Sequence, residues 1–268
     1  MSALFTLTKE LFSNKKLIWI LAKNDFKTRF SGSFFGIVWA FIQPLMTILI
    51  FWFVFSVGLR VAAQAEIPFI CWLTAGLVPW FFFADAWACT GNCFYEYSYL
   101  VKKMVFRISM LPLVKIISSA FIHLFFIFIL ICLYIVYGFY PKLIYIQLVY
   151  YFFCMFFLCI ALSFITASIA PFFKDIGNIV GICLQFGMWM TPIIWSYEII
   201  PPKYSILFKL NPMYYIVQGY RDTLIPYTNI WFWFNIKQTI YFWFITLTLF
   251  IIGSLLYRRL RPHFADVL

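Results

Sequence analysis

The chain has 268 residues, 65% hydrophobic, 24% aromatic and 11% charged, with a mean hydropathy of +0.95. Soluble domains carry roughly 45–50% apolar and 25% charged residues, so a water-soluble globular domain is excluded and an all-α polytopic membrane protein is the class that fits. The formal charge of +11 would point to nucleic acid in a soluble protein. Here most of it flanks apolar stretches, where it answers to membrane orientation and anionic headgroups, and no nucleic-acid partner is expected.

Residues 1–33 are too polar to span a bilayer and too apolar for a tail. They predict a helix lying in the interface: at 100° per residue, Ile18, Trp19, Ala22, Phe26 and Phe30 share an apolar arc, with Lys16, Lys23 and Lys27 together at its edge. Asp25 and Arg29 intrude on that arc. The helix reads equally as a membrane-surface anchor and as a docking surface for a partner protein. No secretory signal peptide is expected, because a basic, polar stretch precedes the first apolar run.

A spanning helix needs about 20 apolar residues to cross a hydrocarbon core roughly 30 Å thick. Six stretches meet that length, near 34–59, 69–93, 110–138, 143–170, 177–199 and 236–257, within a permease-sized domain over 34–268. The third and fourth are joined only by a turn at Gly138, Tyr140, Pro141 and Lys142 and predict a tight helical hairpin. In the fifth, Gly177 and Gly181 have a spacing that lets backbones approach, and a kink is expected at Thr191-Pro192. Residues 201–231 are neither apolar enough to cross nor polar enough to float. They predict two short helices broken at Asn211-Pro212 that dip into the outer leaflet, where only protein or a water-filled cavity can cover irregular backbone.

Cytoplasmic connections carry the excess of Lys and Arg. With the N-terminus inside, that side holds Lys9, Lys15, Lys16, Lys23, Lys27, Arg29, Lys102, Lys103, Arg107, Lys115, Lys174, Arg258, Arg259 and Arg261, or 14 of the 20. Both termini are therefore expected in the cytoplasm.

The residues that carry chemistry are few. Within the second stretch, Trp80-Phe81-Phe82-Phe83-Ala84-Asp85-Ala86-Trp87 packs five rings around one acid. A carboxylate at that depth costs about 2.5–3.5 kcal/mol on insertion scales, so Asp85 should face a bundle interior, a cavity or an interface. His123 is the single ionisable residue well inside another span, which raises a His123–Asp85 relay against a plain interhelical hydrogen bond. The connection Tyr95 to Arg107, with Glu96, Lys102 and Lys103, is long enough for a short helix. Seven cysteines fall in or beside spans and form no disulfide framework. Cys89 and Cys93 are spaced i, i+4, but with no further ligand nearby they read as small apolar residues rather than a metal pair.

Several strings, in order along the whole chain, resemble the membrane subunits of type-2 ABC exporters that move lipid-linked polysaccharides. They are Leu21 to Phe30 with Gly32, Gly36, Trp39 and Pro44; Phe55 to Arg60; Gly76 to Phe83; Leu100 to Lys103; Phe172 to Ile176; Thr191 to Ile194; Asn211 to Met213; and Leu260 to Leu268. The Trp80-Phe81-Phe82-Phe83 string and the C-terminal ending look most like teichoic-acid translocation permeases, with O-antigen and capsule exporters next. Arg107 stands where relatives often carry Pro.

The resemblance implies roles that composition does not assign. The N-terminal helix, through Asp25, Lys27 and Arg29, and the loop with Glu96, Lys102, Lys103 and Arg107 would contact a cytoplasmic ATPase, with Lys174 and Asp175 in a second inner loop. Asn211, Pro212, Tyr214, Tyr215, Arg221 and Asp222 would belong to re-entrant helices at an outer gate. Partners implied are two ATPase subunits, a second copy of this chain, a lipid-linked glycopolymer and membrane lipid, in a bacterial cytoplasmic membrane. No Gly-x-x-x-x-Gly-Lys-Ser/Thr occurs. The chain is expected to bind no cofactor or metal, with ATP and Mg2+ acting through the partner.

Aromatic faces suit a sugar path because an apolar C–H face stacks on them without burying hydroxyls against aliphatic walls. Trp39, Trp72, Trp80, Phe83, Trp87 and Trp189, with Asp85, are the path candidates, although Trp also gathers at membrane interfaces. Two other classes compete. A membrane-embedded glycosyl or acyl transferase would use Asp85, Glu198, Asp222 or His123, yet no two of these have an acid/base spacing. An ion-coupled carrier would need inverted repeats or several intramembrane charges, and neither is seen.

Overall fold

The computed structural model describes residues 14–32, 34–60, 67–98, 108–228 and 230–264. Lys102, Lys103 and Arg107 lie outside these residues. Among the described residues every regular element is a helix, because in hydrocarbon each backbone N–H must find its partner within its own segment. The principal helices are α1 (Lys15–Arg29), α2 (Trp39–Trp52), α3 (Phe69–Gly91), α4 (Leu111–Val136), α5 (Gln147–Ile169), α6 (Ile176–Met190), α7 (Pro212–Leu224) and α8 (Ile236–Leu260).

Among the described residues, five segments are long and apolar enough to cross a membrane: Gly36–Gly58, Phe69–Gly91, Ile108–Val136, Leu143–Ile169 and Phe232–His263. The fifth stretch expected from sequence, 177–199, is not one helix. Its α6 ends at Met190, and Thr191-Pro192 starts irregular chain instead of kinking a longer helix. Proline disfavours helical backbone in the residue before it, and Thr191 is accordingly extended at φ −101°, ψ 126°. At about 1.5 Å per residue, the 15 residues of α6 fall short of the bilayer core. The tight turn between α4 and α5 forms as expected, with Gly138 at φ +83°, a conformation Gly reaches without a Cβ clash.

Burial separates the helices sharply. The most apolar window of α3 is 78% buried, whereas that of the Gly36–Gly58 segment is 11% buried. Helix α3 packs against α4, α5, α6 and α7, and α8 packs along α5. Two glycines permit this. At Gly253 an added Cβ would lie 2.9 Å from Phe164 Cβ, and at Gly219 the Tyr151 ring occupies the space a Cβ would take. The Gly177 and Gly181 pair does not pack helices within this chain, since nothing lies within 4 Å of a Cβ at either position. Helix α6 buries only Ile176 and Val180.

The two ends of α3 differ. Its C-terminal end, with α1, the start of α4 and the end of α8, forms what is called here the near end. Its N-terminal end, with α7 and the start of α8, forms the far end.

Candidate functional site

At the near end, α1 docks on α4 through Ile18 and Ala22 against Met110 and Val114, and Trp19 and Phe26 both meet Phe121 edge-on. The apolar arc read from sequence thus faces protein more than lipid. Asp25 and Arg29, the two intruders on it, are the residues that tie the helix down. Asp25 is 4% exposed and accepts from Lys115 Nζ at 2.7 Å and from the Tyr97 hydroxyl at 2.7 Å. Lys115 also reaches Glu96 Oε2 at 2.5 Å, so one buried ammonium joins α1 to the segment after α3. Arg29 grips both oxygens of Asp85, one contact being 2.9 Å. Burial opposes the Arg29 charge, but the Asp85 carboxylate outweighs it and holds the guanidinium above its usual range.

These pairs surround a cavity of about 560 Å3 that Asn24, Thr28 and Cys89 also line. Asp25, expected from the resemblance at the ATPase contact, is buried inside the α1 joint instead of displayed on the helix surface. A buried carboxylate persists only when paired and hydrogen-bonded, and Lys115 and Tyr97 supply that. Lys27, Lys174 and Asp175 do remain exposed. Lys115 was counted from sequence as an orienting charge and missed as a partner. The available signal was a lone lysine just inside an apolar stretch, which by itself marks a functional or paired site.

The relay between His123 and Asp85 does not form. Asp85 is taken by Arg29, and His123 Nε2 lies 3.0 Å from the Tyr220 hydroxyl. His123 is an interhelical hydrogen-bonding residue whose ring also stacks beside Phe152.

The aromatic candidates divide. Trp72, Trp80 and Phe83 are 5%, 4% and 5% exposed and belong to the core. Trp80 packs over Gly187, 3.2 Å from where a Cβ would stand, and holds α6 to α3. Trp39 and Trp189 are exposed on α2 and α6, and Trp87 is half-buried. Of the rings proposed for a path, only Trp39 and Trp189 are freely displayed by a single chain.

At the far end, two short helices, Ser205–Lys209 and α7, flank Asn211-Pro212 as the sequence predicted. Asn211 caps α7, its Oδ1 accepting from Met213 N at 3.0 Å, while its Nδ2 donates to Thr191 Oγ1 at 2.8 Å. One asparagine thereby starts α7 and fixes the chain where α6 ends. Arg221 is buried on this helix, and no carboxylate among the described residues pairs with it. Its guanidinium lies 3.6 Å from the Trp72 ring centroid and donates to the carbonyls of Pro192 at 2.6 Å and Ile193 at 2.9 Å. Burial draws its pKa down to about 9. Asp222 points the other way to accept from Gln218 Nε2 at 2.8 Å, and burial pushes its carboxyl up to about 6.

Tyr214 lines a cleft of about 550 Å3 with Trp72, Arg221 and Asp222. Tyr215 does not. Its hydroxyl is held in the core by Tyr150 at 3.1 Å and Thr239 at 2.9 Å, because α7 turns successive residues about 100° apart. The sequence reading missed the amides of the cleft, Gln218, Asn235 and Gln238. It also missed Gln147, which reaches Thr223, Ile230 and Phe232 N and pins the entry to α8.

A helical membrane protein with a charged, docked amphipathic helix at one end and a broken helix pair at the other is the class these features define. The description "ABC-2 type transporter" matches residues 16–225, and the chain belongs to that family. It is 27% identical over 256 residues, spanning 94% of this chain and 95% of the relative, to an O-antigen export system permease protein RfbA of Klebsiella pneumoniae. A protein of the same name from Myxococcus xanthus is 25% identical over 218 residues, covering 80% and 82% of the two chains.

Proposed function

We propose that the chain is the membrane subunit of an ATP-driven exporter that moves a lipid-linked polysaccharide from the cytoplasm to the outer face of a bacterial cell membrane. The observation that carries this reading is the near-end latch, set beside the full-length likeness to O-antigen export permeases. Asp25, Arg29, Asp85, Glu96 and Lys115 make α1 one body with α3 and α4. Force applied to its exposed lysines, Lys16, Lys23 and Lys27, then moves spanning helices instead of bending a loose surface helix.

In this reading the near end faces the cytoplasm, in line with the Lys and Arg distribution, and a separate P-loop ATPase, two copies per pair of permeases, supplies ATP and Mg2+. Residues 99–107, with Lys102 and Lys103, and the turn holding Lys174 and Asp175 complete the contact. Helix α6 acts with the chain after it as a sixth crossing, and the helix pair around Asn211-Pro212 is re-entrant and forms the outer gate. The polymer passes between two copies along α2 and α6, whose exposed faces carry Trp39 and Trp189 and the open Gly177 and Gly181 positions. The likeness to relatives named for O-antigen export supports reading the cargo as that polymer class rather than teichoic acid. The test is co-reconstitution with the partner ABC ATPase, identified by co-purification with the permease. Deleting 102–107 is expected to abolish ATP-dependent polymer export while the permease still folds; export that survives the deletion removes the coupling role.

A further inference from the structure

The far-end cleft differs chemically from the near-end cavity, whose carboxylates are each tied to a lysine or flanked by an arginine. Its volume of about 550 Å3 falls in the roughly 300–1,000 Å3 range of small-ligand sites. Its walls bring together two carboxylates, Glu198 and Asp222, and three primary amides, Gln218, Asn235 and Gln238. Amides offer donors and acceptors side by side, and carboxylates accept from hydroxyls. Tyr197 adds a half-buried ring. Together these are the groups that bind sugar hydroxyls and the apolar face of a sugar ring.

The charge in the cleft decides what kind of polymer it suits. Arg221 is the one cation among its lining residues, and that cation is already engaged by the Trp72 ring and two backbone carbonyls. Lys209 stands 5.4 Å from the Tyr197 ring centroid on the cleft's margin. Neither Glu198 nor Asp222 has an ion-pair partner among the described residues. A chain carrying a phosphate in every repeat would bring like charge against two carboxylates, and such juxtaposition selects against the partner that carries it.

We infer that the far-end cleft is a docking site for uncharged or amino-sugar units of the exported chain, and that it disfavours polymers with a phosphodiester backbone. The inference rests on the exporter reading above and narrows its substrate class from this chain's own residues. It places selection on the exit side, apart from the lipid carrier and from the energy-coupling end.

Binding is measured without the ATPase, so its outcome is independent of the transport test. Full-length protein in nanodiscs of zwitterionic phosphatidylcholine, with EDTA present, is examined by saturation-transfer difference NMR. The probes are maltohexaose, chitohexaose and a synthetic hexamer of glycerol phosphate. At least one sugar hexamer is expected to bind in the millimolar range and the glycerol phosphate hexamer at least fivefold more weakly. Gln218→Ala with Gln238→Ala is expected to weaken sugar binding at least fivefold at an unchanged circular-dichroism spectrum. Glu198→Gln with Asp222→Asn, which keeps shape and hydrogen-bonding groups, is expected to narrow the gap between the two probe classes. Equal or tighter binding of glycerol phosphate overturns the inference, as does the absence of binding by both sugars or sugar binding indifferent to all four substitutions. If export works while the cleft binds nothing, this inference fails and the exporter reading stands.

Discussion

Arg29 and Arg221 sit at opposite ends of the same bundle and solve the same problem in opposite ways. Arg29 is about a quarter exposed and meets a carboxylate with both arms of its fork, and its charge is reinforced. Arg221 is 3% exposed and pairs with no acid among the described residues; a ring face and two carbonyls left by the end of α6 hold it, and its charge is weakened. The difference separates two kinds of joint. At the near end, charges tie one helix to another, and charge substitution can unfasten them. At the far end, a cation stitches irregular backbone into the core, and only its geometry will do.

The largest effect expected from breaking this contrast is at the near end. Lys115→Met strands the buried Asp25 carboxylate, and losing one partner of a buried pair costs about 3–5 kcal/mol. A strongly lowered unfolding midpoint in detergent is expected, with partial recovery in Asp25→Asn/Lys115→Met, because the stranded charge is then gone. Arg221→Leu comes next. It removes two charge-assisted hydrogen bonds from buried carbonyls, a loss offset in part because the desolvation cost of a buried charge goes with it, and Arg221→Lys is expected to rescue little, since an ammonium lacks the planar fork.

Asp222 sharpens the comparison through pH. Burial lifts its folded pKa to about 6, above the ordinary carboxyl value of 3.8, so the folded state holds the proton more tightly. The resulting stability is full below about pH 4 and is lost as pH rises through 6. Asp222→Asn is expected to flatten the pH 4–7 dependence of the unfolding midpoint, a difference on the order of 2 kcal/mol. The smallest stability effect is at Asp85. Because that pair is partly exposed, Asp85→Asn should cost about 1 kcal/mol or less. Its expected consequence is functional: ATP hydrolysis by the reconstituted complex persists while export falls, and the swap Arg29→Asp/Asp85→Arg restores part of it.

Local features were legible in sequence where the physics is local. The turn at Gly138 and the break at Asn211-Pro212 follow from backbone preferences within a few residues, and at Thr191-Pro192 the sequence marked the place but read a kink where the helix ends. The same sequence marked Asp25, Arg29 and Asp85 as costly charges in apolar surroundings. It did not pair them, because Arg29 and Asp85 are 56 residues apart and chain distance carries no sign of which helix faces which. Nor did it separate Tyr214 from Tyr215, whose neighbouring positions on α7 place one in the cleft and the other in the core.

The sequence by itself determined a membrane-embedded helical chain, the positions of its long apolar segments and the few charged residues that needed partners. Hydrophobicity and length suffice for that, since the bilayer imposes both. Which faces pack was decided only by the tertiary structure. Lipid and protein interior are alike apolar, so a tryptophan reads the same in either, and only packing put Trp72, Trp80 and Phe83 inside and left Trp39 and Trp189 out.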